Sequence, residues 1–523
     1  MTTTGERTAA RPGRRTVPWR LAALAGIASA VAGLGAAELA AALFAPTAGP
    51  IVVVGALVID LVPGWVKDVV VQLFGTDDKA VLLVTLVVLV LVLAALAGVL
   101  ELVRSPIGRI LVILAGLLGA FAGLTRAGAS PLDAAPSVVG MIAAAVLLAV
   151  LVKRLQNAPR PGTPEAGIDR RRFLVVAGSA TALGILAVIG GQLLAAGSRA
   201  VDAARAMFRL PAPAKAAPPI PSGADFRIEG LAPIVTPNES FYRIDTALQV
   251  PRIDPADWSL RITGMVDTEV TLGFDELVAL PLEESTTTLT CVSNEIGGDL
   301  IGNATWLGYP IRELLTRAGV HADADMVLST SEDGWTASTP IEALTDDRNA
   351  ILAVGMNGEP LPLEHGFPVR MVVPGLYGYV SATKWVRTLE VTRFDRHVAY
   401  WQERGWGERG PIKTASRIDV PKRGQPLTAG TITVAGVAWA QHTGIRGVEV
   451  QVDDGAWQAA TLADAISADT WRQWRYDWPA TSGAHSIRAR ATDGNGIVQT
   501  SAVAGVLPDG ATGYPEISVT VGG

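Results

Sequence analysis

Five stretches near the start of the chain are apolar for long enough that a water-exposed surface cannot accommodate them: 21–44, 80–103, 107–124, 136–152 and 173–196. A helix that crosses about 30 Å of hydrocarbon needs roughly 20 mostly apolar residues, and each stretch approaches or exceeds that length. A further run, 51–62, holds 12 residues and would rise only about 18 Å as a helix. Pro63-Gly64 ends it, and Trp65 to Phe74 continues with Lys67 and Asp68, so 51–75 reads as re-entrant or interfacial. Charge decides the count. Arg7, Arg11, Arg14, Arg15 and Arg20 place the tail 1–20 in the cytoplasm by the positive-inside rule. Five spans then put Arg104, Arg109, Lys153, Arg154 and Arg170-Arg171-Arg172 on that side and Asp77-Asp78 on the other. A sixth span would reverse every cluster after the first helix. The expectation is a basic tail 1–20, a transmembrane region 21–197, and everything after about 198 outside the cytoplasm.

The rest of the chain is different in kind. Residues 1–215 carry a net charge of +9 and residues 216–523 one of −15, giving the overall −6. Eleven of the 13 tryptophans follow residue 215. Intrinsic disorder, a collagen repeat and a disulfide scaffold are excluded by this composition. Nucleic-acid binding is not expected, because the folded half is acidic and phosphate contact needs a basic face. All five histidines lie beyond residue 320, so no bis-histidine haem is expected between the helices. Glu38, Asp60 and Glu101 are the few carboxylates in the apolar region, too scattered for a proton path, and a passive anchor in lipid is the plainer reading. The run Arg170-Arg171-Arg172-Phe173-Leu174 either flanks the last span as topology charge or resembles an internal twin-arginine export address, which moves folded proteins.

A Pro- and Ala-rich stretch makes 198–224 a semi-rigid linker. Between 225 and 415, strand-like runs alternate with short helical ones, among them TTTLTCV, a helix through WLGYPIRELLTRAGV, MVLST and PVRMVVPG, which reads as α+β. From 425 to 523 helices disappear and period-2 strands separated by turn residues suggest an immunoglobulin-like sandwich. The fold class is therefore multi-domain: a five-helix transmembrane bundle, an α+β domain and an all-β sandwich.

Cys291 is the only cysteine in the chain, so no intrachain disulfide exists, and alone a cysteine in such a strand is ordinarily core packing. Its surroundings change that. Cys291-Val292-Ser293-Asn294 follows the Thr-rich strand, then come Trp306-Leu307-Gly308-Tyr309-Pro310, His365-Gly366-Phe367-Pro368-Val369-Arg370, Val373-Pro374-Gly375, Gly378, Lys384-Trp385 and Tyr400-Trp401-Gln402-Glu403-Arg404. This ordered series resembles the sulfite oxidase family of molybdopterin enzymes over about 225–520, including a sandwich of the family's dimerisation type, with which a homodimer is compatible. The resemblance implies a molybdenum–molybdopterin cofactor, with Cys291 as the one protein ligand to the metal and two-electron oxygen-atom transfer as the chemistry. It further implies that Arg370, His365 and Lys384 hold the pterin and its phosphate. Asn238 with Phe241-Tyr242-Arg243 would line the opposite side, and Ser331 would be a polar neighbour of the pterin.

Two departures bear on substrate. Where animal sulfite oxidases and plant nitrate reductases place arginines after the Cys-x-x-Asn, this chain has Glu295 and Ile296. The family's active-site tyrosine is replaced by Trp406. Both argue against sulfite and nitrate and for an uncharged oxo-compound, such as a sulfoxide or N-oxide, or a reduced sulfur compound. No cytochrome domain is recognisable, so a separate electron partner, a cytochrome or a quinol-linked protein, is expected. Two rival readings stay open: an envelope enzyme using Cys291 as nucleophile and His365 as base, and an anchored binding module without activity. Stoichiometric molybdenum with pterin separates the first reading from both.

Overall fold

The computed structural model describes residues 19–63, 66, 69–70, 73–74, 78–126, 129–157, 164–194 and 197–522. Arg7, Arg11, Arg14 and Arg15 of the tail, and Trp65, Lys67, Asp68 and Asp77 of the interfacial stretch, lie outside the described residues. The chain divides into a helical unit drawn from 1–61 and 77–195 and a second unit of 196–523 with 62–76.

In the helical unit, five helices are long and apolar enough to cross a membrane: Trp19–Phe44, Asp78–Val103, Ile107–Leu124, Pro131–Gln156 and Arg171–Gly191. The short run forms a 12-residue helix, Pro50–Leu61. The first helix packs against Asp78–Val103, Ala135–Gln156 and Pro164–Leu194, and small residues let it do so. A Cβ on Gly33 would stand 2.7 Å from the Gly140 carbonyl, and one on Gly140 would stand 2.8 Å from the Gly33 carbonyl. Without a hydrophobic drive between apolar helices, such close backbone approach supplies the attraction. Glu101, buried between the second and third long helices, accepts hydrogen bonds from Ser105 and from the backbone and side chain of Arg109. Its carboxylate thus closes the turn joining them.

The second unit opens with a helix, Gly197–Met207, whose Arg205 guanidinium donates to the Pro360 and Leu361 carbonyls at 2.8 and 2.7 Å. The following Pro/Ala-rich stretch is laid along the domain: Ala214 N donates to Leu282 O and Glu284 N to Lys215 O. Proline supplies the extended backbone, and strand edges supply its partners.

Two five-stranded sheets build the α+β part. In one the order is Val270–Gly273, Ser259–Gly264, Val386–Thr392, Met326–Ser331, Thr336–Pro340, with only the second and third parallel. In the other, Glu283–Thr290, Ile301–Pro310, Ile351–Met356 and Glu359–Pro360 run antiparallel, and Arg370–Val372 pairs with Ile351–Met356. Trp258, Leu260, Ile262, Leu277, Leu314, Val327, Trp385 and Leu389 fill the core beside them. The sequence expects WLGYP to open a helix; it is strand instead, and the helix is only Ile311–Ala318. Trp306 is fully buried with its indole N–H on the Thr287 carbonyl, and Pro310, which has no amide, stands as the last residue before the first turn.

The C-terminal part is a sandwich of two sheets. One holds Ala415–Val420, Gly430–Trp439, Arg472–Ala480 and Thr461–Leu462; the other holds Pro426–Thr428, Glu516–Gly522, Gly483–Asp493, Ile445–Val452 and Gln458–Ala459. Alternate residues such as Val434, Val448, Val450, Trp474, Ile487, Ala489 and Val519 face inward, the period that marks a half-buried strand.

Candidate cofactor site

The strand that leads to Cys291 is polar yet buried. Ser285, Thr286, Thr287, Thr288 and Thr290 are all under 9% exposed. Each side chain is satisfied: Ser285 pairs with Thr287, Thr286 with Thr305, Thr288 donates to Asn303, and Thr290 accepts from Gln441. Threonine suits a strand covered on both sides, because its branched Cβ packs and its hydroxyl finds a partner. One cover is the neighbouring strand; the other is the sandwich, through Gln441, Asp469 and Trp471.

The strand stops at Thr290, and a closed loop presents Cys291. Cys291 N donates to Leu300 O at 2.9 Å, Asn294 N to Cys291 O at 3.1 Å, and Leu300 N to Asn294 Oδ1 at 2.9 Å. The thiol is 8% exposed. Burial pushes it above its usual range, opposed by hydrogen bonds from Ser293 and Val292 and by the nearby Lys384 charge.

Around it stands a cluster of cations. Gly366, at φ 112°, lets the His365–Arg370 turn fold tightly; a Cβ there would meet Arg370 Cβ at 2.9 Å and Lys384 Cβ at 3.2 Å. Arg370 is 5% exposed, donates to the carbonyls of His365, Met371 and Ala382 at 3.1–3.4 Å, and stacks 5.0 Å over Trp306. No ion pair joins it to a carboxylate among the described residues, and burial lowers its pKa to about 10. Lys384 reaches Asp245 at 2.6 Å and the Glu364 carbonyl at 3.0 Å; Asp245 also holds Arg243 at 2.9 Å. Arg243, Arg370 and Lys384 against Asp245 leave a net +2 in this cluster. His365, 2% exposed, places Nε2 3.1 Å from the Asn238 carbonyl. Burial, then Lys384 and Arg370, push its pKa down to about 3, so the ring is neutral. Tyr242, stacked on Phe241, senses both Cys291 and Arg370, and burial raises its pKa well above the usual phenol range.

The residues fit an anionic organic cofactor. Ser331 Oγ is buried with no partner among the described residues, a costly state unless a ligand completes it. A buried guanidinium without a counter-charge asks for an anion for the same reason. Among the described residues no three His, Cys, Asp or Glu side chains cluster as a metal cage, so Cys291 offers one bond and the rest of a coordination sphere would come with the cofactor.

Beside Cys291 a narrow cleft of about 20 Å³ runs between its loop and the sandwich, lined by Thr290, Asn294, Glu295, Ile296, Tyr377 and, from the far side, Ser416, Trp439, Gln499 and Gly513. Of the sequence candidates, Cys291, Tyr242, Arg243, His365, Arg370 and Lys384 come together. Asn238 takes part by its backbone carbonyl, its side chain being engaged with Met356 and Asn357. Ser331 ends a strand of the other sheet, paired with Val386 two residues beyond Lys384. Trp406 is 6% exposed and packs against Tyr379 and Trp401 at ring distances of 6.0 and 6.3 Å; it is not among the residues lining the cleft. Asp245 and Tyr377 escape the sequence reading. The only signal for Tyr377 is its place between Gly375 and Gly378.

A family model for the oxidoreductase molybdopterin binding domain matches residues 247–401, and one for a bacterial Ig domain matches 415–489. An uncharacterised oxidoreductase of Bacillus subtilis, YuiH, is 36% identical over 157 residues, 30% of this chain and 76% of that one. The mitochondrial sulfite oxidase of Macaca fascicularis is 29% identical over 319 residues, 52% of this chain. The match spans only 58% of that relative's own length. The sulfane dehydrogenase SoxCD of Paracoccus pantotrophus superposes with a TM-score of 0.48 and 23% identity, covering 56% of this chain and 85% of that one. With a cation-lined cysteine site inside the matched region, the chain belongs to the sulfite oxidase family of molybdopterin-binding oxidoreductases.

Proposed function

We propose that this protein is a membrane-anchored, molybdenum-dependent oxidoreductase whose outer portion transfers an oxygen atom to or from an uncharged oxo-compound, such as a sulfoxide or N-oxide, or a reduced sulfur compound. The observation that carries the reading is Arg370, a buried cation beside the only cysteine with no carboxylate partner among the described residues. When bound, the molybdenum–molybdopterin group supplies a two-electron couple and an exchangeable oxygen. The chain holds and orients it. Cys291 supplies the soft ligand, Arg370, Lys384 and Arg243 balance the anionic pterin phosphate, neutral His365 is fixed by the Asn238 carbonyl, and Ser331 offers an unused hydroxyl. The sandwich wall of the cleft limits water near the thiol. Electrons pass to a separate partner, a cytochrome or a quinol-linked protein.

The substrate preference rests on Glu295, which lines the cleft where relatives are expected to carry a cation. It is exposed, so one charge contact there is worth up to about 1 kcal/mol. Exchanging repulsion for attraction in Glu295→Arg should therefore raise kcat/KM for sulfite about tenfold, and less at high salt. Ferricyanide-coupled turnover measures it. Efficient wild-type sulfite oxidation, above about 10⁴ M⁻¹s⁻¹, would remove the case for an uncharged substrate.

The five apolar helices support anchoring, and the charge pattern of the sequence supports an outer location for the second unit. If Arg170-Arg171 is an export address, replacing both by lysine keeps the topology charge but should leave residues 225–523 inside the cytoplasm. Protease accessibility in spheroplasts reads the outcome, and normal exposure of the double variant would reduce the pair to a topology marker.

A further inference from the structure

The cleft beside Cys291 contains a buried phenol that the cofactor cluster does not use. Tyr377 is 5% exposed and shares the cleft wall with Asn294 and Glu295. Its backbone N–H donates to Gly410 O at 2.7 Å. Gly510, at φ 88°, makes room for its hydroxyl, since a Cβ there would stand 2.5 Å from that oxygen. The hydroxyl oxygen accepts a hydrogen bond from the Lys413 backbone N–H. Its own proton finds no acceptor among the described residues, whereas the hydroxyl of neighbouring Tyr379 donates to Gly407 O at 2.6 Å. The hydroxyl is not among the buried atoms left without a partner, so the cleft leaves its donor open to an incoming group.

We propose that Tyr377 donates a hydrogen bond from its hydroxyl to the oxygen that a compound presents to the cleft beside Cys291, which has room for about one water-sized group. The proposal rests on the reading of that cleft as the substrate entrance and adds the group that recognises the oxygen. Accepting from Lys413 polarises the phenol and strengthens it as a donor. A phenol keeps its proton throughout the physiological range. A neutral donor next to Glu295 selects an oxygen acceptor without a net negative charge. Trp406, packed away against Tyr379 and Trp401, leaves this task to Tyr377.

The test uses the full-length, molybdenum-loaded protein as wild type, Tyr377→Phe and Tyr379→Phe. Metal content is measured first, and then Kd for dimethyl sulfoxide, trimethylamine N-oxide and sulfite is followed by the visible absorption of the metal site. Tyr377→Phe should hold molybdenum as wild type does and weaken about tenfold whichever of these compounds wild type binds, the loss of one hydrogen bond. Tyr379→Phe should stay within about twofold. If wild type prefers sulfite, the uncharged-substrate reading fails, yet the Tyr377 comparison is still made on sulfite. An unchanged Kd in Tyr377→Phe, an equal loss in Tyr379→Phe, or a loaded wild type that binds none of the three would overturn the proposal.

Discussion

Serine in place of Cys291 leaves a folded protein that turns nothing over; that is the expected result. A hydroxyl is a poor ligand for a soft metal, and Cys291 is the only thiolate the chain can offer. Loss of an outer partner of a metal ligand costs about 10–100-fold in affinity or activity, and loss of the ligand itself should exceed that range. The fold should tolerate the change. Serine is slightly smaller, the position is buried but lies in a loop fixed by backbone bonds to Leu300 and Asn294, and volume-conserving swaps cost less than about 1.5 kcal/mol. Metal per chain, turnover and the thermal midpoint are measured together. Retained turnover in the purified variant would end the molybdenum assignment.

Arg370→Ala should act on cofactor occupancy. Each hydrogen bond to a charged group contributes about 1.5–3 kcal/mol, and two such contacts to an anionic group would change affinity by about a hundredfold or more. The variant also leaves the carbonyls of His365, Met371 and Ala382 without their donor and empties the space over Trp306. In the cofactor-free protein, however, it removes a buried cation that no carboxylate among the described residues balances, so part of that loss is offset. The cofactor-bound protein should therefore be destabilised more than the cofactor-free one. Arg370→Lys keeps the charge without the planar fork and should fall between them. Pterin and molybdenum content after dialysis decides the matter; full occupancy in Arg370→Ala would count against the role.

Much of this architecture is written in local pattern. The long helices follow from runs that no soluble fold can cover, and 51–62 fails as a span by its length alone. The sandwich strands are legible because core residues recur at every second position, as at Ile432 and Val434, Val448 and Val450, and Ile487, Ala489 and Ala491. Arg472–Ala480 carries the same period, Trp474, Tyr476, Trp478 and Ala480 facing the core between Gln473, Arg475 and Asp477, yet it escapes the sequence reading. WLGYP misleads because Leu307 and Tyr309 fit a helix entrance, while the burial of Trp306 is settled by partners far away in sequence. At the site, the ordered His365–Arg370 and Lys384-Trp385 blocks foretell a cluster around Cys291. Asp245 and Tyr377 carry no such mark. Their roles come from contacts to Lys384, Lys413 and Gly510, and spacing along the chain does not encode those.

The threonine-rich strand has a consequence for how this molecule can be divided. Its back is completed by the sandwich: Gln441 Nε2 donates to Thr288 O and Thr290 Oγ1, and Trp471 N donates to Thr288 Oγ1. Cutting the chain before residue 415 would strip these partners and open to water the segment that ends in Cys291. The C-terminal part is then no detachable accessory, although it contributes no group to the cation cluster. The corners at 439–442 and 467–471 are tied to the strand that leads into the Cys291 loop. A change made there would reach the cysteine loop from behind, through the strand that carries it.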